Sequence, residues 1–499
     1  MKILLIIFAS LFLIYSSIQY ENKVFAIHFV DEEDNLVLGK YLLDNKKLYG
    51  DLFSHHQPYG YILSAGIQKV TDPNSIFLLI KRHREAIIVW SFIWSILLIL
   101  RFGWLLLVFV TIYELSKVYL FGNLFLAESL VVYPLIYLFS SLFKLRKRNK
   151  WEILFLGSLI SFSALTLSPV WPVLLFTLII IWYQENKSIN FLKFVAIGTI
   201  PIIVISAFFI NFNDYLYNAF YINLFYYIPL THGESALWGI IKGFSAPVLS
   251  FFVSSNESPT IYLIRIFSLG LILGLGYLVK LKEYKSAALL IVTLGLLNLR
   301  YIDPGAQYYR GFHLLPWFAS LILVVTLIFE KVFNKNKAIG LILMIGLLGS
   351  TIYYCSNEFL TVRDINKDFY INYSRQFSIG EAIRIMKTEK DTLFVAPDEW
   401  LVYWQADINP ASKMINYYAW MDKVPVLKNE IDRTFRDSPP TFVYLNLVGT
   451  GFEPYLDNYI NLVRDGKNVN LYVEDDRFSS LSKEQLNQLK FHNFELIKQ

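Results

Sequence analysis

The sequence is poor in cysteine and in charge, and each scarcity excludes a class of protein. Its 499 residues include a single cysteine, Cys355. One cysteine excludes an internal disulfide and any metal cluster built on several thiolates. Charged residues make up 17% of the chain, whereas a typical soluble domain carries about 25%. The composition therefore argues against a soluble protein stapled by disulfides.

Motifs for nucleotides and nucleic acids are also lacking. The sequence contains no Walker motif and no Rossmann glycine fingerprint. Its net charge of +5 comes from basic residues in short clusters between apolar runs, and this is how membrane proteins mark cytoplasmic loops. We therefore expect no nucleic-acid partner and no cytoplasmic domain for a nucleotide-sugar.

Long apolar runs dominate what is present. A transmembrane helix needs about 20 apolar residues, and 55% of the chain is hydrophobic. These runs predict an integral, multi-pass protein of the plasma membrane with about eleven spans. The candidate spans are 3–20, 86–100, 103–120, 125–143, 152–168, 171–184, 192–212, 261–279, 286–299, 314–330 and 338–354. The first run could instead be a cleaved signal peptide, but it lacks a small-residue cleavage site, so we favour an anchor.

Basic loops predict the orientation of these spans. If every candidate crosses, the basic loops at Arg101, 144–150, Lys187 to Lys193, 280–285 and 331–337 share one side. The positive-inside rule makes that side cytoplasmic. The N-terminus is then cytoplasmic and the C-terminal segment lies outside. The cluster Lys81 to Arg84 falls on the wrong side, which indicates either an error in topology or a site for an anionic ligand.

A shift in charge predicts the main domain boundary. Residues 1–354 carry 28 Lys and Arg against 19 Asp and Glu, and residues 355–499 carry 17 against 21. We predict a transmembrane catalytic domain over 1–354, whose first outer loop is 21–85. Residues 355–499 form an extracytoplasmic α/β domain, with strands at 392–396, 441–446 and 469–473 and helices at 379–387, 455–464 and 482–489.

The densest group of acids follows the first apolar run, at Asp31-Glu32-Glu33-Asp34. Such a run could simply begin a solvated helix, because the helix dipole favours acids in the first turn. It could also supply a general base, since a hydroxyl or amide acceptor is a poor nucleophile until a carboxylate takes its proton. Elsewhere, Glu114 and Lys117 lie one helical turn apart and are expected to pair as a structural feature.

Further motifs surround this acid run. They include Gly39-Lys-Tyr-Leu-Leu43, Leu48-Tyr49-Gly-Asp51 and His55-His56-Gln57-Pro58-Tyr59, then Glu128 in an apolar setting and Tyr308-Tyr-Arg310-Gly-Phe-His313 before a late span. Together they resemble the GT-C glycosyltransferases, a superfamily that includes protein O-mannosyltransferases, lipid A aminoarabinose transferases and bacterial relatives. In coarse layout the resemblance covers nearly the whole chain, although its motifs are degenerate.

The resemblance implies a polyprenyl-phosphate-linked sugar as donor, inversion at the anomeric carbon, and a glycan, lipid or protein as acceptor. Asp31 matches the family's catalytic Asp best, with Glu32 beside it, while Glu33 and Asp34 remain open as alternatives. The donor phosphate and substrate would be bound by residues at matching positions, namely His56, Arg84, Glu128, Arg310 and His313. The alternative for the basic residues is contact with lipid head groups.

One motif departs from the family's pattern, and the metal and the function each have an open alternative. The aminoarabinose branch has Lys-Pro-Pro-Leu, and His56-Gln57-Pro58-Tyr59 stands there instead, which argues against that branch. We predict no metal centre and no cofactor, although the spacing of Glu32 and Asp34 leaves Mg²⁺ or Mn²⁺ open. A lipid flippase or transporter is the alternative function, and it predicts inverted repeats, which the sequence does not show.

Overall fold

The computed structural model describes residues 2–143, 148–232, 236–253, 259–299, 301–303, 308–446 and 451–497. Part of the predicted basic loop 144–150 lies outside the described residues. In chain order the helices are α1 Lys2–Glu21, α2 Val30–Leu43, α3 Tyr59–Thr71, α4 Ile76–Phe102, α5 Trp104–Ser116, α6 Ala127–Phe143, α7 Lys150–Ala164, α8 Trp171–Gln184, α9 Ile189–Ala207, α10 Phe212–Leu216, α11 Ile228–His232, α12 Ala236–Leu249, α13 Pro259–Lys280, α14 Tyr284–Leu297, α15 Tyr308–Gly311, α16 Leu315–Lys335, α17 Lys337–Leu360, α18 Ile365–Met386, α19 Leu401–Ala406, α20 Pro425–Asp437, α21 Asp475–Ser479 and α22 Lys483–Phe491. A π-helix, Tyr217–Tyr227, joins α10 to α11.

Several of these helices are suited to a membrane. Within the described residues, five stretches are long and apolar enough to cross one: α4, α9, α13, Phe312–Lys335 and α17. The predicted apolar segments each coincide with a helix, but several of those helices are shorter than a span requires. The protein is therefore mainly helical with several apolar helices, and the figure of eleven spans stays a prediction.

The chain divides into two compact units, which do not follow the order of the sequence. The helical unit comprises Met1–Val24, His83–Ser206 and Glu234–Arg363, and the mixed unit comprises Phe25–Arg82, Ala207–Gly233 and Asp364–Gln499. The predicted boundary between residues 354 and 355 stays a prediction.

In the helical unit, α16 is the central element. In the stretch that contains it, 94% of the residues of the most apolar segment are buried. The corresponding share is 22–44% in the other four long apolar helices. The outer helices expose large apolar side chains such as Leu11, Ile203 and Ile342, as helices in contact with lipid do. The expected pair of Glu114 and Lys117 is confirmed, with 2.8 Å between Lys117 Nζ and Glu114 Oε2 and both side chains buried.

The mixed unit contains a six-stranded sheet. Its strands are β1 Thr392–Ala396, β2 Asn409–Pro410, β3 Phe442–Leu445, β4 Tyr459–Arg464, β5 Lys467–Glu474 and β6 Phe494–Ile497. The spatial order is β2-β1-β3-β5-β4-β6. β1 runs parallel to β2 and β3, and the remaining pairs are antiparallel. The predicted strands at 392–396, 441–446 and 469–473 are confirmed, as are the helices at 379–387 and 482–489.

The helix predicted over 455–464 is wrong. A single turn of 3-10 helix, Glu453–Tyr455, ends at the first residue of this segment, and β4 follows it. β4 then pairs with β5 across a tight turn at Asp465 and Gly466. Both turn residues have positive φ, 51° and 73°. An Asp-Gly pair is a strong signal for a two-residue hairpin, so the turn at Asp465 and Gly466 favours a strand over 459–464 in place of the predicted helix.

The first loop is attached to this sheet. Tyr41 Oη on α2 donates to Ile408 O over 2.7 Å, and the backbone N–H of Phe53 donates to Lys413 O over 2.7 Å. α2 and α3 pack closely because Gly39 has no side chain, since a Cβ there would collide with Ser64. The acid run at the start of α2 is thereby held beside the carboxyl end of β1, where α19 begins.

Candidate active site

The acid run forms the first turn of α2. Asp31 is exposed, whereas Glu32, Glu33 and Asp34 are buried. No side chain caps this helix, so the acids themselves complement its positive end. Among the four, the predicted base, Asp31, is the one exposed to solvent.

Asp34, the last residue of the acid run, contacts Tyr61 and His56. Its Oδ2 accepts a hydrogen bond from Tyr61 Oη over 3.1 Å and lies 3.4 Å from His56 Nδ1. Tyr61 Oη also lies 2.8 Å from Ser54 Oγ. The structure therefore brings His56, a predicted ligand of the donor phosphate, to the acid run. Half of the His56 side chain is exposed, so it remains accessible.

Glu33 faces a second pair of acids that the sequence interpretation missed. Its carboxylate pairs with His28, and its Oε2 lies 3.4 Å from the backbone N of Leu401. Glu399 lies directly after β1 and is 7% exposed. Burial first, and then the charge of Glu33, raises the pKa of Glu399 to about 7. Burial also raises the pKa of its neighbour Asp398.

A cluster of aromatic rings lies next to His56. His55 packs edge-on against His56, with ring centroids 4.2 Å apart. Its ring centroid lies 4.4 Å from that of Tyr227 and 5.5 Å from that of Trp420. Burial and the neighbouring His56 lower the pKa of His55, so this imidazole is neutral at physiological pH. It presents an aromatic face, while His56 supplies the polar contact to Asp34.

Two predicted residues meet in the helical unit. His313 Nδ1 lies 2.6 Å from Glu128 Oε1. Glu128 is buried in the first turn of α6, and a quarter of the His313 side chain is exposed. Arg84 is 1% exposed and its Nη1 donates to Val24 O, whereas Arg310 is exposed on α15. The predicted site residues therefore fall into two groups, Asp31, Glu32 and His56 in the mixed unit and Arg84, Glu128, Arg310 and His313 in the helical unit.

A metal centre would need several ligating side chains close together. Across the part of the chain that the structure describes, no group of three or more His, Cys, Asp and Glu side chains could hold a metal ion. The absence of a cofactor remains a prediction, and no step below passes through a metal.

Comparison with known proteins supplies the fold. No protein-family model matches the sequence, and no curated protein matches it. Two solved structures of ArnT from Cupriavidus metallidurans do match. The apo structure has a TM-score of 0.59 at 10% identity and covers 94% of this chain and 98% of ArnT. The structure bound to undecaprenyl phosphate has a TM-score of 0.58 at 9% identity and covers 93% and 97%.

The chain has a GT-C-like fold. The similarity extends over nearly the full length of both chains, so it includes the membrane helices as well as the sheet. At about 10% identity it establishes the fold alone, and the roles of Asp31 and the other predicted site residues remain predictions.

Proposed function

We propose that the protein is a membrane glycosyltransferase that moves a sugar from a polyprenyl-phosphate donor to a glycan, lipid or protein acceptor outside the cytoplasm. The observation that carries the proposal is an exposed Asp31 at the head of a run of buried acids, within a GT-C-like fold. The solved ArnT that contains undecaprenyl phosphate supports a lipid-phosphate donor.

In this proposal Asp31 is the general base. It accepts the proton of the acceptor while that group attacks the anomeric carbon, opposite the bond to phosphate, so the configuration inverts. The polyprenyl phosphate leaves as a stabilised anion, and no separate general acid is required. Glu32 lies beside Asp31 in the first turn of α2 and is buried.

Cationic and hydrogen-bonding groups would bind the phosphate. Arg310 offers an exposed guanidinium, whose planar fork fits phosphate oxygens. His313 has its Nδ1 taken by Glu128, so Nε2 is the nitrogen that would meet the phosphate. His56 is oriented in the same way by Asp34. Arg84 is buried, so its positive charge would attract the phosphate from behind the protein surface.

Transfer from radiolabelled polyprenyl-phosphate sugars tests the proposal, in membranes that contain the wild type or Asp31→Asn. Label should leave the lipid with the wild type only. The matched control is Asp44→Asn, since Asp44 is exposed at the other end of α2, and it should retain activity. Full transfer by Asp31→Asn would remove Asp31 from the role of base. No transfer with any donor, together with movement of lipid across the bilayer, would favour the flippase.

A further inference from the structure

The topology of the sheet predicts a crevice that the proposed chemistry does not use. From β1 the chain passes to β2 on one side, and the next strand, β3, lies on the other side of β1. Connections that leave neighbouring parallel strands in opposite directions open a crevice at the carboxyl ends of those strands. In open α/β sheets this is where ligands bind, and the order 2-1-3 places the crevice between β1 and β3.

Polar side chains from three elements meet at this edge. Asp398 and Glu399 follow β1, and Asn446 follows β3, with its backbone N–H 2.9 Å from Ala396 O. Arg375 on α18 donates from Nη1 to Asn446 Oδ1 over 2.9 Å. Arg375 and Glu399 are close enough to interact electrostatically, so the crevice holds both signs of charge.

Two oxygens at this edge are buried and lack hydrogen bonds. Glu399 is 7% exposed, and its Oε2 has no hydrogen-bond partner among the described residues. Gln376 is 2% exposed, and its Oε1 is likewise without a partner there. The Nε2 of Gln376 lies 3.3 Å from Nε2 of His28, which places the amide against the pair of His28 and Glu33. Buried polar atoms are nearly always satisfied, so the unpartnered atoms of Glu399 and Gln376 point to hydrogen-bonding groups that a ligand supplies.

The chemistry of the crevice selects among ligands. The Glu399 oxygen is an acceptor, and the Gln376 amide can turn either its oxygen or its N–H towards a ligand, so hydroxyl groups, which donate and accept, suit both side chains. Several carboxylates disfavour a phosphate or another anion at the same place, and the guanidinium of Arg375 disfavours a cation. A sugar ring fits best. In doubly wound dinucleotide-binding folds, a carboxylate in the same kind of crevice accepts hydrogen bonds from ribose hydroxyls.

We propose that the crevice at the carboxyl ends of β1 and β3 is a sugar-binding subsite, in which Glu399 and Gln376 form hydrogen bonds with ring hydroxyls. This inference rests on the proposed function, since it names where part of a sugar substrate binds. The subsite adjoins the acid run through Glu33, which interacts with Glu399. The ring belongs either to the donor or to an acceptor glycan, and both present the same hydroxyls.

Binding of methyl glycosides of common hexoses and pentoses to the purified full-length protein tests the inference without catalysis. Saturation-transfer NMR should detect at least one glycoside with the wild type. At pH 8, above its raised pKa of about 7, Glu399 is ionised, and Glu399→Gln should weaken the affinity roughly tenfold or more, as expected when a hydrogen bond to a charged group is lost. The control is Glu484→Gln, which alters an exposed acid on α22 and should bind as the wild type does.

Thermal melting separates binding from folding. Glu399→Gln removes a buried charge beside Glu33, so the variant should melt no lower than the wild type while it binds sugar more weakly. If Glu399→Gln fails to accumulate, Gln376→Leu tests the same subsite from α18. The inference is overturned if no glycoside binds the wild type, or if the folded variants bind it with unchanged affinity.

Transfer kinetics then identify the source of the ring. A raised KM for the lipid-linked donor in Glu399→Gln assigns the subsite to the donor sugar, and a raised KM for the acceptor assigns it to the acceptor glycan. Asp31→Asn should bind glycosides normally, because Asp31 is outside the subsite. Normal glycoside binding without any transfer by the wild type would contradict the proposed function and leave the subsite standing.

Discussion

His313 and Glu128 are 185 residues apart in the sequence, yet His313 Nδ1 lies 2.6 Å from Glu128 Oε1. Glu128 is buried at the start of α6, and His313 immediately precedes α16. An ionisable group buried among apolar helices is costly and usually functional. The pair fixes which imidazole nitrogen faces away from Glu128, so the carboxylate acts by orienting the histidine.

We expect Glu128→Gln and His313→Gln to be non-additive in transfer assays. If Glu128 acts only through His313, the double variant should be little worse than His313→Gln alone, with a coupling energy of about 1 kcal/mol or more. The readout is KM for the lipid-linked donor. The control is the same set of single and double variants at Arg101 and Glu152, which also form an ion pair. These variants should leave the KM for the lipid-linked donor unchanged. Simple additivity at Glu128 and His313 would contradict the positioning role.

The buried pair of Glu114 and Lys117 makes a prediction about stability. Both side chains are at most 3% exposed, and Glu114 also binds Tyr133 and Ser16. Removal of one partner leaves an uncompensated buried charge, which costs about 3–5 kcal/mol. Lys117→Met should therefore lower the melting temperature strongly, and Glu114→Gln/Lys117→Met should restore much of the loss.

The control for this experiment is the pair of Lys331 and Glu283, in which both side chains are more than a third exposed. An exposed pair contributes about 1 kcal/mol or less, so Lys331→Met should change the melting temperature little. Equal losses in Lys117→Met and Lys331→Met would mean that burial of Glu114 and Lys117 does not set the cost.

The hairpin between β4 and β5 makes a prediction about backbone conformation. Gly466 has φ of 73°, a region in which a Cβ costs roughly 1–2 kcal/mol. Gly466→Ala should therefore reduce the melting temperature. Gly349→Ala is the matched control, because Gly349 is helical with nothing near the position of its Cβ, and alanine is the better helix former. A melting temperature unchanged by Gly466→Ala would show that the turn tolerates a side chain.

The same hairpin shows what the sequence could and could not predict. β1 was predicted because Thr392–Ala396 is a short apolar run that ends before a proline. The helix predicted over 455–464 is wrong because the Asp-Gly turn that follows this segment favours a hairpin strand. The acid run at Asp31 was visible as a local cluster. Glu399 was not, because its importance depends on burial against Glu33, and no local pattern reports contacts between segments more than 360 residues apart.

Glu399 makes the final prediction, which concerns pH. Its pKa is raised from 4.5 to about 7 by burial and by Glu33. The other ionisable groups that act on it are His28 from the first loop, Asp398 from its own loop, Arg375 on α18 and Tyr444 on β3. Between pH 4.5 and 7 the folded protein binds a proton at Glu399 that the unfolded chain has released, so this stabilisation is complete below pH 4.5 and is lost as pH rises through 7.

Glu399→Gln should remove this dependence, because an amide does not titrate. The wild type should lose up to roughly 3 kcal/mol of stability from this group between pH 5 and 8, and the variant should lose less over the same interval. Melting temperatures of both proteins, measured across that interval in one detergent, give the comparison. Parallel curves would mean that Glu399 is already ionised in the folded protein at pH 5. The sugar subsite would then rest on the unpartnered oxygens of Glu399 and Gln376 alone, since its geometry does not depend on where Glu399 titrates.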